Sequence, residues 1–107
     1  MIKIKKISID HFVIQSEGNV VSNMDNEKVM LNIENGKYYN LGRIGGDIWE
    51  LINKPTLVSK LIDNMMAIYD VNKEKCEAEV ILFLESMYRE NLIKVISKKW
   101  VYLHILY

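Results

Sequence analysis

The sequence predicts an α+β domain in which a three-stranded antiparallel sheet is followed by three helices. The first part of the chain alternates short β-branched or aromatic runs with turn-forming residues, and the hydrophobic period becomes helical after Gly45-Gly46. A length of 107 residues, 50% of them apolar and 26% charged, suits one globular domain spanning residues 1–107. This element order, with a C-terminal strand or wing as an option, is typical of a winged helix-turn-helix.

Strand-forming runs occupy the first forty residues. The strongest hairpin signal is Asn35-Gly36, because both central residues of a tight hairpin turn need positive φ and this pair tolerates it. We therefore expect the runs on either side of this pair to be adjacent antiparallel strands. The strand candidates are residues 11–15, 19–21, 28–33 and 37–41, with further connections at 17–19 and 25–27.

Three helices are predicted after the glycine pair, and Trp49 in the first of them is expected to anchor the core. The first helix ends before Pro55, because proline disfavours helical geometry in the preceding residue. Asn91 can take the left-handed conformation that ends the third helix. The predicted helices start at Asp47, at Thr56 and at about Asn72, and the last runs to Glu90.

The C-terminal segment is less regular than the rest of the chain. Residues 95–96 and 100–103 have strand composition around a turn at 97–99, which favours a wing hairpin or an added strand. The alternative is a tail that binds a partner or makes an oligomer contact. An exposed run this aromatic would otherwise be an aggregation hazard.

Charge and cysteine content exclude several classes of protein. Fourteen basic residues balance fourteen acidic ones, so no global charge attracts nucleic acid or an anionic membrane. Cys76 has no disulfide partner, and His11 and His104 do not have the spacing of a metal site, so we expect no metal and no cofactor. With no secretion signal and no apolar run near the roughly 20 residues that span a bilayer, a cytoplasmic protein is expected.

No catalytic constellation is visible in the sequence. Cys76 is followed by Glu77, and acidic neighbours raise the pKa of a thiol, which makes it a poor nucleophile. The glycine-rich run 42–46 lacks the Lys-Ser/Thr of a phosphate-binding loop and is interpreted as a strand-to-helix turn. We therefore expect a binding protein and not an enzyme.

A winged-helix regulator that binds DNA, or a protein-interaction module, is the alternative function. The third helix would then read the major groove, where phosphate neutralisation supplies most of the affinity. Residues 72–91 carry three basic side chains against five acidic ones, which is the wrong sign for that role.

The segment Gly36-Lys37-Tyr38-Tyr39-Asn40-Leu41-Gly42-Arg43-Ile44-Gly45-Gly46-Asp47-Ile48-Trp49-Glu50-Leu51-Ile52 resembles the signature of the PqqD-like family, also called the RiPP recognition element. Residues 55–58, 69–71 and 80–93 are also similar to that family, and the resemblance covers about 12–95. The length, the Tyr-Tyr-x-Leu strand and the stand-alone chain are most similar to the lasso-peptide subgroup.

Two features depart from the family pattern. Asn91 stands where relatives commonly have Gly, which suits a left-handed helix cap. The tail 97–107 runs beyond the usual family end, so the resemblance implies nothing about its role.

The resemblance implies a clamp for the leader region of a ribosomally synthesised precursor. In such a clamp the leader adds as a further antiparallel strand to the sheet, with its side chains against the third helix. The edge that receives it would be residues 37–41. The implied partners are the leader, a separate leader peptidase of the cysteine protease type and a cyclase, with this chain acting as a non-catalytic peptide chaperone.

Residue periodicity assigns the side chains of this edge. Period two puts Tyr38 and Asn40 on one face of the strand. Tyr39 and Leu41 share the other face, so one tyrosine belongs to the core and its neighbour to the open side. The third helix is expected to turn Leu84 toward the core. The predicted peptide-binding residues are Lys37, Tyr38, Tyr39, Asn40 and Leu41 of the edge and Cys76, Val80, Phe83 and Met87 of the third helix.

Overall fold

The computed structural model describes residues 6–96 and confirms the α+β class with antiparallel sheets and three helices. The predicted turn at 97–99 and strand at 100–103 lie outside the described residues. No helix within the described range is long and apolar enough to cross a membrane. The elements are β1 (Phe12–Gln15), β2 (Asn19–Met24), β3 (Glu27–Asn32), β4 (Tyr38–Leu41), α1 (Gly42–Leu51), β5 (Thr56–Leu57), α2 (Val58–Ile68), α3 (Lys73–Arg89) and β6 (Ile93–Ile96).

The strands form two sheets of three strands each. One has the order β2-β3-β4 and is the predicted three-stranded antiparallel sheet. The other has the order β5-β1-β6, in which Val13 pairs with Thr56 on one side and with Val95 on the other. These pairings join segments that are distant in the sequence, so local alternation predicted the strand β1 but not its partners.

The β2–β3 turn lies in the predicted connection 25–27, whereas the turn at Asn35-Gly36 differs from the sequence prediction. Asp25 and Asn26 join β2 to β3, and their φ values of 52° and 68° are those of a two-residue turn with both central residues left-handed. Asn35-Gly36 is instead part of the longer connection 33–37, in which Gly36 has positive φ and Asn35 does not. The Oδ1 of Asn32 accepts a hydrogen bond from the Asn35 N–H at 2.9 Å, which stabilises the wider loop.

The connection 33–37 also changes the assignment of Ile33. This residue was predicted in the strand, but it follows β3 and its side chain is 64% exposed. The Ile33 N–H donates to the Gly18 carbonyl at 2.9 Å, which draws the chain away from the β3–β4 ladder. The Asn-Gly pair alone predicts neither this hydrogen bond nor the one between Asn35 and Asn32.

Helix α1 begins earlier than predicted, at Gly42 and not at Asp47. The Oδ1 of Asn40 accepts a hydrogen bond from the Gly42 N–H at 2.9 Å, so the last strand turns directly into the helix. The run 42–46 was interpreted as a strand-to-helix turn, and glycine weakens a helix in isolation. Here Gly45 and Gly46 are buried within α1, and packing outweighs that preference.

The two buried glycines let α1 approach its neighbours closely. A methyl group at Gly45 would lie 2.6 Å from Cε1 of Phe83, and one at Gly46 would lie 2.9 Å from Cγ of Lys28. Lys28 therefore lays its stem across α1, and its Nζ forms a 2.6 Å ion pair with Glu50. Both contacts fix α1 between β3 and α3.

The remaining helix ends agree closely with the sequence prediction. Thr56 belongs to the short strand β5, and α2 starts two residues later at Val58. The Asn72 side chain accepts from the Lys75 N–H at 2.8 Å and caps α3. Asn91 has φ of 60°, which confirms the predicted left-handed end of α3.

The core lies between the two sheets and the three helices. Val13 and Met30 contribute from separate sheets, and Trp49, 5% exposed, is confirmed as a core residue. Leu84 is fully buried, as predicted. Further members of the same cluster are Ile48, Ile52, Val58, Leu61, Ile62, Met65, Leu92 and Ile93.

The left-handed position of Asn91 can be tested by substitution. We expect Asn91→Ala to lower the free energy of unfolding by about 1 kcal/mol, because a Cβ without a compensating polar group is strained in that conformation. Asn91→Gly should not lower it, since glycine adopts positive φ freely. Urea denaturation measures both, and equal stability of the two variants would contradict the assigned helix end.

Candidate functional site

Strand β4 is an outer strand of its sheet. Its described partner is β3, in the register Met30 with Tyr39 and Leu31 with Tyr38. Over residues 6–96, no other strand pairs with β4. One side of β4 therefore presents backbone groups that an added strand could use.

The direction of each β4 amide follows from the ladder. The Asn32 N–H donates to the Lys37 carbonyl at 2.9 Å, and hydrogen-bonded pairs alternate along antiparallel strands. The backbone groups of Tyr39 consequently face β3. Those of Tyr38 and Asn40 face the open side, each with one donor and one acceptor.

Side chains of β4 alternate between solvent and core. Tyr38 is 73% exposed, whereas Tyr39 is half-buried against the core and Leu41 is buried. The predicted alternation is confirmed, and Tyr39 is the tyrosine that belongs to the inner face. An added strand would place every second side chain on this inner face, next to α3.

One row of α3 side chains runs beside β4 and the start of α1. The Phe83 ring packs on Gly45, which also lies against the Leu41 side chain. At one end of this row, Glu90 Oε1 accepts a hydrogen bond from the Tyr39 hydroxyl at 3.2 Å. Glu79 lies at the other end. We call the β4 edge together with Glu79, Phe83 and Glu90 the β4–α3 surface.

A small apolar pocket continues this surface beyond Glu79. It has a volume of about 70 Å³ and lies where α1, α2 and α3 meet. The Tyr69 hydroxyl beside it donates to Asp47 Oδ2 at 2.5 Å, and this hydrogen bond raises the pKa of Tyr69. The phenol therefore stays protonated and links α1 to the end of α2. The pocket is lined by Ile44, Met65, Tyr69, Val71, Cys76, Glu79 and Val80.

Three of the predicted contact residues of α3 are buried in the free protein. Cys76, Val80 and Met87 are each less exposed than 5%, with relative exposures of 4%, 2% and 4%. The Cys76 Sγ donates to the Ile62 carbonyl at 3.8 Å, and burial, with a smaller effect of Glu79, raises the pKa of its thiol. Phe83 alone of the four predicted α3 residues is partly exposed beside β4.

The sequence reasoning missed Glu79 and Glu90 as residues of this surface. Both are exposed and lie four residues before and seven residues after Phe83, which keeps all three on one side of the helix. The spacing of the three residues in the sequence already indicated that they share one side of the helix. The acidic residues of α3 were interpreted as a solvated face that could attract lysines of a leader, and none of them was assigned to the β4 edge.

A larger cavity lies elsewhere in the part of the chain that the structure describes. It has a volume of about 750 Å³ between β6 and the connection after β3, and Asn32, Tyr88 and Val95 are among its lining residues. Within residues 6–96, no three His, Cys, Asp or Glu side chains are grouped as a metal site would require.

Comparison with known proteins adds two findings. The family model described as coenzyme PQQ synthesis protein D (PqqD) matches residues 27–93, which is more than half of the chain. The chain is similar to a solved structure, "TbiB1 in Complex with the TbiA(beta) Leader Peptide", at 26% identity and a TM-score of 0.69. The match covers 76% of this chain and 94% of that one. A search of curated proteins finds no significant match.

The burial of Cys76 predicts its chemical reactivity. We expect a thiol-specific reagent such as DTNB to modify Cys76 much more slowly in the folded protein than in urea, because the thiol is both covered and held protonated. The release of thionitrobenzoate measures this directly. Equal rates in the two states would contradict the burial of the thiol and would place Cys76 on an open surface.

Proposed function

The chain belongs to the PqqD family, and on that premise we propose that it binds the leader of a ribosomally synthesised precursor peptide. The observation that carries the proposal is the open side of β4, where the backbone groups of Tyr38 and Asn40 face away from β3. Support comes from the similar protein TbiB1, whose structure is that of a complex with a leader peptide.

Strand addition suits a partner that is disordered before it binds. Backbone donors and acceptors give affinity for any extended peptide, and side chains beside the edge give selectivity. In the proposed complex the leader runs antiparallel to β4. Its residues opposite Tyr38 and Asn40 exchange hydrogen bonds with them, and its residues opposite Tyr39 and Leu41 point toward Phe83.

Backbone hydrogen bonds alone would not hold the leader. About four such bonds at roughly 1 kcal/mol net each are offset by the cost of ordering several peptide residues at about 1–2 kcal/mol each. Burial of apolar side chains against Phe83 and the inner face must supply the surplus, at about 2 kcal/mol for each well-buried side chain. Recognition is therefore divided between the edge and α3.

The finer part of the proposal concerns the pathway. We propose that the leader belongs to a lasso-peptide precursor and that the chain, without catalytic activity of its own, presents this precursor to a separate leader peptidase. Strand addition is compatible with binding by this chain and cleavage by a separate peptidase. Pairing with β4 engages one edge of the leader and leaves the residues after the leader accessible. A cyclase is a further proposed partner.

A proline at Tyr38 tests the edge. We expect Tyr38→Pro to weaken binding of the leader by about 2- to 10-fold, because it removes one outward donor. Proline is tolerated on an edge strand where the lost N–H faces solvent, so the domain should remain folded. Fluorescence anisotropy of a labelled leader peptide gives the affinity.

Tyr38→Ala is the matched control, since it removes the same side chain but keeps the amide. A second control is Tyr39→Pro, which removes a bond of the β3–β4 ladder and should lower the melting temperature. If Tyr38→Pro and Tyr38→Ala bind the leader equally well, the leader does not pair with β4 and the proposed function in this form is wrong.

A further inference from the structure

Two carboxylates flank Phe83 on the β4–α3 surface. Glu79 lines the small pocket together with Ile44, and Phe83 packs on Gly45. Glu90 receives the Tyr39 hydroxyl. The row therefore runs from beyond the end of β4 back toward its first residues, so α3 is antiparallel to β4.

The Glu90 carboxylate is held in position by a short chain of hydrogen bonds. Asn35 Nδ2 donates to the Tyr39 hydroxyl at 3.1 Å, and that hydroxyl donates to Glu90 Oε1 at 3.2 Å. A carboxylate has about four lone-pair positions, so one hydrogen bond leaves most of its acceptor capacity available. Glu90 is exposed and faces the start of β4, where a bound peptide would leave the edge.

Neither carboxylate forms an ion pair with another side chain in the part that the structure describes. Between residues 6 and 96, the one ion pair joins Lys28 to Glu50. Glu79 and Glu90 thus give an open strand edge two negative charges, one on each side of an apolar side chain. A ligand of complementary chemistry carries two positive charges on either side of an apolar residue.

We propose that the bound segment has a lysine or arginine on each side of the apolar residue that contacts Phe83. This inference rests on the proposed function, because it assumes a peptide paired with β4. A peptide antiparallel to β4 is parallel to α3 and passes Glu79 first, then Phe83 and finally Glu90. The positions of Glu79 and Glu90 therefore set where the two basic residues of the peptide lie relative to its apolar residue.

Helix and strand dimensions give the spacing. Glu79 and Phe83 are about 6 Å apart along the helix axis, and Phe83 and Glu90 about 10 Å, at roughly 1.5 Å per residue. An extended peptide advances about 3.3 Å per residue, and alternate residues face α3. The first basic residue thus lies about two positions before the apolar residue, and the second about two to four positions after it.

Selection from a display library of random peptides tests the spacing and does not require the leader's own sequence. The full chain is immobilised, and bound peptides are sequenced after several rounds. We expect enrichment of lysine or arginine about two positions before an apolar residue and again about two to four positions after it. Enrichment of apolar residues without this basic pair would overturn the inference.

Matched variants of α3 then test the two carboxylates with one selected peptide. We expect Glu79→Gln and Glu90→Gln each to weaken binding by about 2- to 5-fold at low salt, because exposed ion pairs contribute modestly. The difference should shrink at about 500 mM salt, where such pairs are screened. Glu74→Gln, the same change on a distant side of α3, should bind as the unaltered protein does.

The outcomes separate the inference from the function on which it rests. If Glu79→Gln and Glu90→Gln bind like Glu74→Gln while Tyr38→Pro still binds more weakly than Tyr38→Ala, strand addition stands and the charge pattern is wrong. If Tyr38→Pro also binds like Tyr38→Ala, or if the library yields no binding peptide, the proposed function itself fails.

Discussion

The pairing of β3 with β4 determines what the rest of the structure can do. Its register opposes Met30 and Tyr39, and this turns the backbone of Tyr38 and Asn40 toward the open side. A shift by one residue would reverse both consequences: Tyr39 would lose its inner position, and different amides would face outward. The buried side chains of Met30 and Leu41 oppose such a shift, because it would expose them to water.

The glycines of α1 connect this edge to α3. Any side chain at Gly45 would press on the Phe83 ring, and one at Gly46 would press on the stem of Lys28. Close packing at both positions brings a row of α3 side chains alongside β4. The same packing buries most of the apolar stripe of α3, so its exposed border, and not the stripe itself, is available to a partner.

Local patterns in the sequence predicted the fold class, the three helices and the alternation of the β4 side chains, because each depends on a period that neighbouring residues reveal. They did not predict the second sheet, since Val13 and Val95 are far apart in the chain. They also assigned Cys76 and Met87 to the peptide-binding groove, and both are buried in the free protein. A helical stripe does not show which of its borders the core covers. Glu79 and Glu90 gained a functional meaning only when Ile44 and Tyr39 were found beside them.

The most direct measurement of the central claim is amide hydrogen exchange at single residues, followed by NMR with and without a saturating leader peptide. In the free protein, the Tyr39 N–H should be protected by the β3–β4 ladder, and those of Tyr38 and Asn40 should exchange rapidly. With the leader bound, we expect strong protection of Tyr38 and Asn40. Rapid exchange of both amides at saturation would contradict strand addition, because the leader would then bind without pairing with β4.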